Sequence, residues 1–186
     1  LVPDGARFVL SVGRGSPHKN HARAVDAFIR AFGDDPDMHL VLLRKEGNTP
    51  ATRLEELLAT PTLQSRLHRL DYVSGDQLRA LYSAAEIFLF PSLHEGFGLP
   101  ILEAMASGTP VVTADRGAMG EVAGEAGVRV DPVDTEAIAG GLRRLADDGE
   151  FWEEKRDAGL ARAGEFTWRR CARQTLESYR RVLGVD

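Results

Sequence analysis

The chain has 186 residues, of which 43% are hydrophobic and 27% charged, a composition typical of one globular domain with its own core. Its formal net charge of −5 excludes a general attraction to nucleic acid or anionic lipid, so any anion site has to be built locally. The longest apolar stretch ends at Pro91 and is too short to span a bilayer, while the single Cys171 excludes an internal disulfide and fits a reducing compartment.

Short apolar runs alternate with helix-like segments through most of the chain. The predicted strands are Phe8–Val12, His39–Leu43, Leu67–Leu70, Ile87–Phe90, Pro110–Ala114 and Val128–Val130. Helical periodicity and capping signals predict helices at His21–Phe32, Arg53–Leu58, Ser74–Tyr82, Pro100–Ser107, Thr135–Ala146, Phe151–Ala163 and Trp168–Leu183. Because this alternation favours parallel pairing and right-handed crossovers, we predict an α/β fold with a Rossmann-like, doubly wound parallel sheet of about six strands and flanking helices.

Ligands of such sheets bind outside the carboxyl ends of the strands, which makes the loops after the strands the candidate site. The loops concerned are Gly13–Asn20, Arg44–Thr49, Tyr72–Gly75, Pro91–Leu99 and Asp115–Glu121. The last of them is small and flexible enough to line a pocket, although most of it fits an ordinary turn from strand to helix.

The loop after the first strand combines small residues with positive charge. A dinucleotide fingerprint would require glycine where His18 stands, so that motif is excluded. Asn20 is expected to cap the following helix. Close backbone approach and two cations beside a helix N-terminus suit a diphosphate, although two solvated surface cations remain the alternative. The residues concerned are Gly13, Gly15, Arg14 and Lys19.

The loop after the fourth strand carries glycines between two carboxylates. Gly96 and Gly98 have no Cβ where a ligand would approach, and the backbone N–H groups from Phe97 onward lie at a helix start. Seven residues separate Glu95 from Glu103, and a carboxylate can accept both hydrogens of a sugar diol. The alternatives are a solvated loop acid for Glu95 and an acid that complements the helix dipole for Glu103.

Taken together, several motifs resemble the C-terminal half of GT-B retaining glycosyltransferases of the group 1, family 4 type. This group includes bacterial mannosyl- and glucosyltransferases of polysaccharide and glycolipid synthesis. The resemblance extends from about Phe8 to Leu183. It rests on Ser11-Val12-Gly13-Arg14, Lys19-Asn20, Leu81-Tyr82, Ala84-Ala85, Phe90-Pro91-Ser92, Glu95-Gly96-Phe97-Gly98-Leu99-Pro100, Glu103-Ala104-Met105-Ala106, Gly108-Thr109-Pro110-Val111-Val112 and Gly120-Glu121.

The resemblance implies catalytic roles for Arg14, Lys19 and Glu95. The two cations would hold the donor diphosphate and stabilise charge on the leaving nucleoside diphosphate, and Glu95 would lie near the transferred sugar. Family membership further implies that backbone amides meet the sugar hydroxyls and the distal phosphate, and that Glu103 holds the ribose hydroxyls. The donor-binding residues at the start of this helix would be Gly96, Phe97, Gly98 and Leu99, with Gly13 and Gly15 in the first loop.

The base would lie, by the same resemblance, beside Tyr72, Val73 and the Arg44–Glu46 loop. There the chain departs from the family pattern, because Leu43-Arg44-Lys45-Glu46 stands where a glycine-containing turn is frequent. The string from Tyr72 to Ser74, together with the Glu95–Pro100 motif, is most similar to mannosyltransferases that use GDP-mannose.

Residues 1–186 are therefore expected to form the nucleotide-sugar-binding domain of a two-domain enzyme whose N-terminal acceptor domain is absent. The start at Leu-Val-Pro, without Met, is interpreted as an excision from a longer protein, and helix Trp168–Leu183 as the segment that packs onto the missing domain. Such an enzyme moves a hexose to an acceptor hydroxyl with retained configuration, without metal or cofactor. We expect a cytoplasmic protein, peripheral at the inner membrane face only through the absent domain, and little or no transfer by this chain.

Two other functional classes compete with this interpretation. One is a non-catalytic module that binds a nucleotide or nucleotide sugar. The other is a different GT-B enzyme, such as a nucleotide-sugar epimerase or a phosphorylase. A phosphorylase would need a lysine for pyridoxal phosphate, and the chain has only Lys19, Lys45 and Lys155.

Overall fold

The computed structural model describes residues 2–3, 5–45 and 52–184, and its strands form one sheet. The strands are β1 (Arg7–Arg14), β2 (Met38–Lys45), β3 (Leu67–Leu70), β4 (Ile87–Phe90), β5 (Val111–Ala114) and β6 (Val128–Val130). Their order across the sheet is β3-β2-β1-β4-β5-β6, and every neighbouring pair is parallel. The predicted α/β fold with a doubly wound, Rossmann-like sheet of about six strands is confirmed.

Helices connect the strands and complete the C-terminal part. They are α1 (His21–Phe32), α2 (Thr52–Leu58), α3 (Pro61–Gln64), α4 (Gly75–Ala84), α5 (Leu99–Ala106), α6 (Gly117–Ala123), α7 (Thr135–Asp147), α8 (Gly149–Gly164) and α9 (Trp168–Leu183), with 3₁₀ turns at Pro17–Lys19 and Gly124–Ala126. The predicted capping box of α4 is present, because Ser74 Oγ accepts from the Gln77 N–H at 3.2 Å while Gln77 Oε1 accepts from the Ser74 N–H at 2.8 Å.

Alternation of side chains along the strands supplies two cores, one on each face of the sheet. On one face Val9, Leu40 and Leu89 pack with α1, α2 and α7. On the other face Leu10 and Phe88 pack with α4, α5 and α6. Both faces are covered, which explains why the strands appear in the sequence as nearly continuous apolar runs.

The first two strands are longer than the sequence predicted. We expected them to end at Val12 and Leu43, whereas β1 continues to Arg14 and β2 to Lys45. The extra residues pair with one another in the parallel ladder, Gly13 opposite Arg44 and Arg14 opposite Lys45. This pairing between distant segments has no signature in the local hydrophobic pattern.

Helix α9 lies outside both cores, and none of its residues is buried. Its large apolar side chains include Trp168, 82% exposed, and Val182, 85% exposed. Cys171 is also exposed on this helix. Among the described residues, no helix is long and apolar enough to cross a membrane.

Candidate functional site

A crevice opens between β1 and β4, where the direction of winding reverses. These strands are neighbours in the sheet, but the chain leaves β1 into α1 on one face and β4 into α5 on the other. The two loops therefore diverge above the carboxyl ends of adjacent strands, the usual ligand position in open α/β sheets. They touch at one backbone contact, in which the Leu93 N–H donates to the His18 carbonyl at 2.7 Å.

An ion pair joins the two loops across this crevice. Lys19 Nζ donates to Glu95 Oε1 at 2.7 Å, and the two side chains are only 16% and 14% exposed. The same ammonium lies 5.1 Å from the centroid of the Phe90 ring, at the end of β4. Two of the three residues predicted to be catalytic thus meet at the switch point, in an environment partly screened from water.

Helix α5 begins four residues after Glu95, and the residue just before the helix, Gly98, has a backbone conformation that favours glycine. Gly98 has a φ of 101°, and a Cβ there would lie 3.1 Å from Ile101 Cδ1. Phe97 and Leu99 flank it and are 43% and 50% exposed, and the Phe97 ring meets Phe166 edge to face at 6.0 Å. The residue before α5 is Gly98, which has no side chain to cap the helix, so no cap of its own competes with a ligand for the N–H groups of the first turn.

Glu103 is oriented by a buried tyrosine that sequence reasoning missed. The Tyr82 hydroxyl donates to Glu103 Oε2 at 2.9 Å, and Tyr82 itself is 2% exposed. Burial, and then the neighbouring carboxylate, raise the pKa of the Tyr82 phenol, so the hydroxyl stays protonated and donates. The sequence did contain an indication of this contact, because a tyrosine on the apolar face of a helix needs a hydrogen-bond partner for its hydroxyl. This partner is an exposed carboxylate that keeps a second oxygen for a ligand.

Gly13, near the end of β1, lies against the buried ring of His21. A Cβ at Gly13 would lie 3.2 Å from the ring of His21, which is 6% exposed. His21 Nε2 lies 3.0 Å from the Arg14 carbonyl, and it must carry the hydrogen because a carbonyl only accepts. Burial lowers the pKa of this imidazole to about 4, so it is neutral near pH 7. His21 is therefore a packing residue, held in place by the Arg14 carbonyl.

Arg14 and Gly15 stand at the outer end of β1. Arg14 is exposed, and the Gly15 N–H donates to the Lys45 carbonyl at 2.9 Å, which continues the contact with β2. Arg14 does not take part in the Lys19–Glu95 ion pair. Its assignment stays a prediction.

Asn20 does not cap α1, contrary to the prediction. It is the residue before the helix, yet its side chain makes no hydrogen bond to the N–H groups of the first turn. Its amide nitrogen instead donates to the carbonyls of Pro91 and Pro132, at 2.9 and 2.7 Å. The backbone of Asn20 is left-handed, with a φ of 59°, and its side chain bonds to the two neighbouring loops instead of to its own helix.

The predicted base-binding residues lie beside β2 and β3, on the side of β1 that faces away from β4. Tyr72 follows β3, two strands away or about 10 Å in the sheet direction, and is 86% exposed. Val73 is half-buried against the core beside α4. Arg44 is 9% exposed and lies 3.9 Å from Glu55, so it is paired within the protein. The remainder of the predicted Arg44–Thr49 loop, from Glu46 onward, lies outside the described residues.

The loop after β5 is largely occupied by its own contacts. Helix α6 begins inside it at Gly117, and Asp115 pairs with Arg129 at 3.2 Å. A Cβ at Gly120 would lie 3.0 Å from Asp115 Oδ1, so the turn packs tightly on itself. Of the two interpretations, the ordinary turn from strand to helix is the one observed.

A family of known proteins matches most of the chain. The sequence model described as "Glycosyl transferases group 1" matches residues 1–162. O-antigen chain mannosyltransferase B of Escherichia coli is 34% identical over 173 residues, which cover 93% of this chain and 45% of that protein. An MMP alpha-(1->4)-mannosyltransferase of Mycolicibacterium hassiacum is 38% identical over 152 residues, covering 79% of the chain and 36% of the relative. The chain thus spans less than half the length of these relatives.

Solved structures agree with the topology. A sucrose-phosphate synthase from Thermosynechococcus elongatus superimposes with a TM-score of 0.82 at 28% identity, covering 98% of this chain and 47% of that one. The C-terminal domain of a glycosyl transferase group 1 family protein from Francisella tularensis gives a TM-score of 0.78. At 24% identity over 86% of this chain and 85% of that one, it supports the fold alone.

Proposed function

Because the chain belongs to the glycosyl transferases group 1 family, we propose that it is the donor-binding domain of a retaining hexosyltransferase. The parent enzyme would move a hexose from a nucleoside-diphosphate sugar to an acceptor hydroxyl. The observation that carries the proposal is the meeting of Lys19 and Glu95 at the switch point, 2.7 Å apart, beside the start of α5. A cation, a carboxylate and a helix N-terminus at one crevice suit a diphosphate joined to a polyhydroxyl group.

Each element of the crevice has a definite task in this reaction. Lys19 and Arg14 bind the diphosphate and stabilise the negative charge that develops as the sugar leaves. The N–H groups at the start of α5 add donors for phosphate and sugar oxygens, and Glu95 accepts from a sugar hydroxyl. Glu103, oriented by Tyr82, accepts from the ribose diol. Catalysis then rests on positioning and on fixed electrostatics, and neither a metal nor a cofactor takes part.

Mannose is the favoured hexose, and GDP-mannose the favoured donor. Two relatives of this chain are named mannosyltransferases, at 34% and 38% identity. The Tyr72–Ser74 string next to β3 supports the same choice through its likeness to enzymes of that specificity.

A preceding acceptor domain completes the proposed enzyme. Helix α9 supports this, because Trp168 and Tyr179 are 82% and 64% exposed although they lie on an amphipathic helix. In the longer protein these side chains pack on the acceptor domain, and hydrogen exchange of α9 would slow when that domain is present. Since the acceptor side of the reaction is missing, we expect the isolated chain to bind a donor and to transfer little or no sugar. Robust transfer by the purified chain would contradict this.

The direct test is a thermal-shift and calorimetric panel of GDP, UDP, ADP and their sugars on the chain. A ligand at 100 times its dissociation constant adds about 2.7 kcal/mol of apparent stability. We expect the largest shift with the guanine nucleotides, the same shift in the presence of EDTA, and its loss in Lys19→Met. If no nucleotide shifts the transition, the donor-site proposal is wrong, and a shift abolished by EDTA would overturn the metal-free part.

A further inference from the structure

Asn20 has a backbone conformation that few residues adopt. Its φ is 59° and its ψ 29°, and it is the one non-glycine residue with a positive φ in the part of the chain that the structure describes. Glycine and asparagine reach this left-handed region at low cost, because other residues bring Cβ too close to the carbonyl oxygen. The backbone alone would therefore accept glycine, so the asparagine side chain needs a separate explanation.

The side-chain amide of Asn20 connects three loops at the carboxyl edge of the sheet. One terminal nitrogen donates to the Pro91 carbonyl, after β4, and to the Pro132 carbonyl, after β6. The amide oxygen accepts from Arg23 Nη1 at 3.2 Å. At 6% exposure the residue is shielded from water, so both carbonyls depend on this nitrogen. Aspartate would put an acceptor opposite two acceptors, and serine has only one hydrogen to give.

This connection lies beside the proposed diphosphate site. His18, Lys19 and Asn20 each contact the loop after β4, through the Leu93 N–H, Glu95 and the Pro91 carbonyl. Of these contacts the Asn20 bonds are fully buried. Loss of a buried donor leaves its acceptors unpaired and out of reach of water, which costs more than the loss of a partly exposed ion pair. The buried amide is thus the contact best suited to set the separation of the loops.

We propose that Asn20 is a positioning residue for the donor diphosphate, and that its side-chain amide fixes the distance between the loops of Lys19 and Glu95. Asn20 acts through Lys19, the residue directly before it. The inference rests on the proposed function, because it assigns Asn20 to the site where the diphosphate binds.

Two substitutions separate the amide from the backbone. Asn20→Gly keeps the left-handed conformation and removes the amide, while Asn20→Asp keeps the shape and removes the donor. We expect each to weaken the best-binding nucleoside diphosphate about tenfold in calorimetry, equivalent to about 1.4 kcal/mol. We also expect faster hydrogen exchange of the Leu93 amide in the ligand-free chain, since that amide donates to the carbonyl of His18, two residues before Asn20.

Trp152→Phe is the matched control. It removes one hydrogen bond from a side chain to a backbone carbonyl, that of Trp152 Nε1 to Glu86 at 2.8 Å, but at the opposite end of β4. Its nucleotide affinity and Leu93 exchange should match the wild type. If Asn20→Gly folds and binds within about twofold of the wild type, the inference is overturned whatever the exchange shows. If the wild type binds no nucleotide, the proposed function itself fails, and the Leu93 exchange still reports separately whether the amide holds the loops.

Discussion

Lys19 Nζ and Glu95 Oε1 form an ion pair 2.7 Å long between residues that are 76 positions apart in the chain. Without a ligand each charge neutralises the other. In the proposed donor site, a bound diphosphate would compete with Glu95 for the ammonium, and its own charge would repel the carboxylate. The carboxylate would thus oppose the binding of a nucleoside diphosphate, and it would favour only a ligand whose sugar hydroxyl donates a hydrogen bond to it.

Glu95→Gln should therefore bind the nucleoside diphosphate more tightly than the wild type. The pair is only partly exposed and is expected to contribute about 1 kcal/mol, so the gain in affinity is about fivefold. The nucleotide sugar should gain less than the diphosphate, because glutamine is a weaker acceptor for the sugar hydroxyl. Calorimetry with both ligands measures the difference. Glu121→Gln, at an exposed position on α6, makes the same change in net charge and should leave both affinities unaltered. An equal gain in both variants would assign the effect to net charge alone.

The Tyr82–Glu103 contact predicts how the chain discriminates ribose from deoxyribose. In the wild type a 2′-deoxynucleotide should bind about tenfold more weakly, because one hydroxyl donor to a carboxylate is lost. In Glu103→Ala both nucleotides should bind weakly and equally. Tyr82→Phe keeps the carboxylate but not the hydroxyl that orients it, so discrimination should be reduced to an intermediate value. Discrimination that survives unchanged in Glu103→Ala would exclude the ribose role.

The two glycines before α5 should respond differently to alanine. Gly98→Ala forces a φ of 101° on a residue with a side chain and places Cβ 3.1 Å from Ile101, which should cost about 1 to 2 kcal/mol of unfolding free energy. Gly96→Ala meets no atom within 4 Å and should change stability by less than about 0.5 kcal/mol. Urea unfolding of both variants provides the comparison. Equal stabilities would contradict the observed backbone at Gly98.

His21 should make the stability of the fold fall in mildly acidic solution. Its pKa is about 4 in the folded chain and 6.5 as its ordinary value, so between these values the unfolded chain binds a proton that the folded chain does not. The stabilising contribution is complete above pH 6.5 and is lost as the pH falls toward 4, by about 3 kcal/mol. Because other groups titrate in this window, the measurement is the difference between the wild type and His21→Gln. The variant should show a shallower decline, and parallel curves would contradict the burial of a neutral imidazole.

The amino-acid pattern determined which elements form and which loops matter. Strands β3, β4 and β6 were predicted with their observed bounds, as were α1 and α9. Of these three strands only β4 is buried along its whole length, and it carries the clearest apolar run. The alternation of strands and helices then implied a parallel sheet, and the connection rules for such sheets implied a site at its carboxyl edge. The Ser74–Gln77 capping box was likewise predicted, because all its interactions are local.

The tertiary structure decided which side chains form hydrogen bonds and ion pairs with one another. Lys19 meets Glu95, Tyr82 orients Glu103, and Asn20 holds the carbonyls of Pro91 and Pro132 instead of capping its own helix. Each partner belongs to a different crossover unit, so no window of the sequence contains both members of a pair. Local spacing determines the hydrophobic faces and thus the fold, whereas hydrogen-bond partners depend on how the parallel strands bring separate loops to one edge of the sheet.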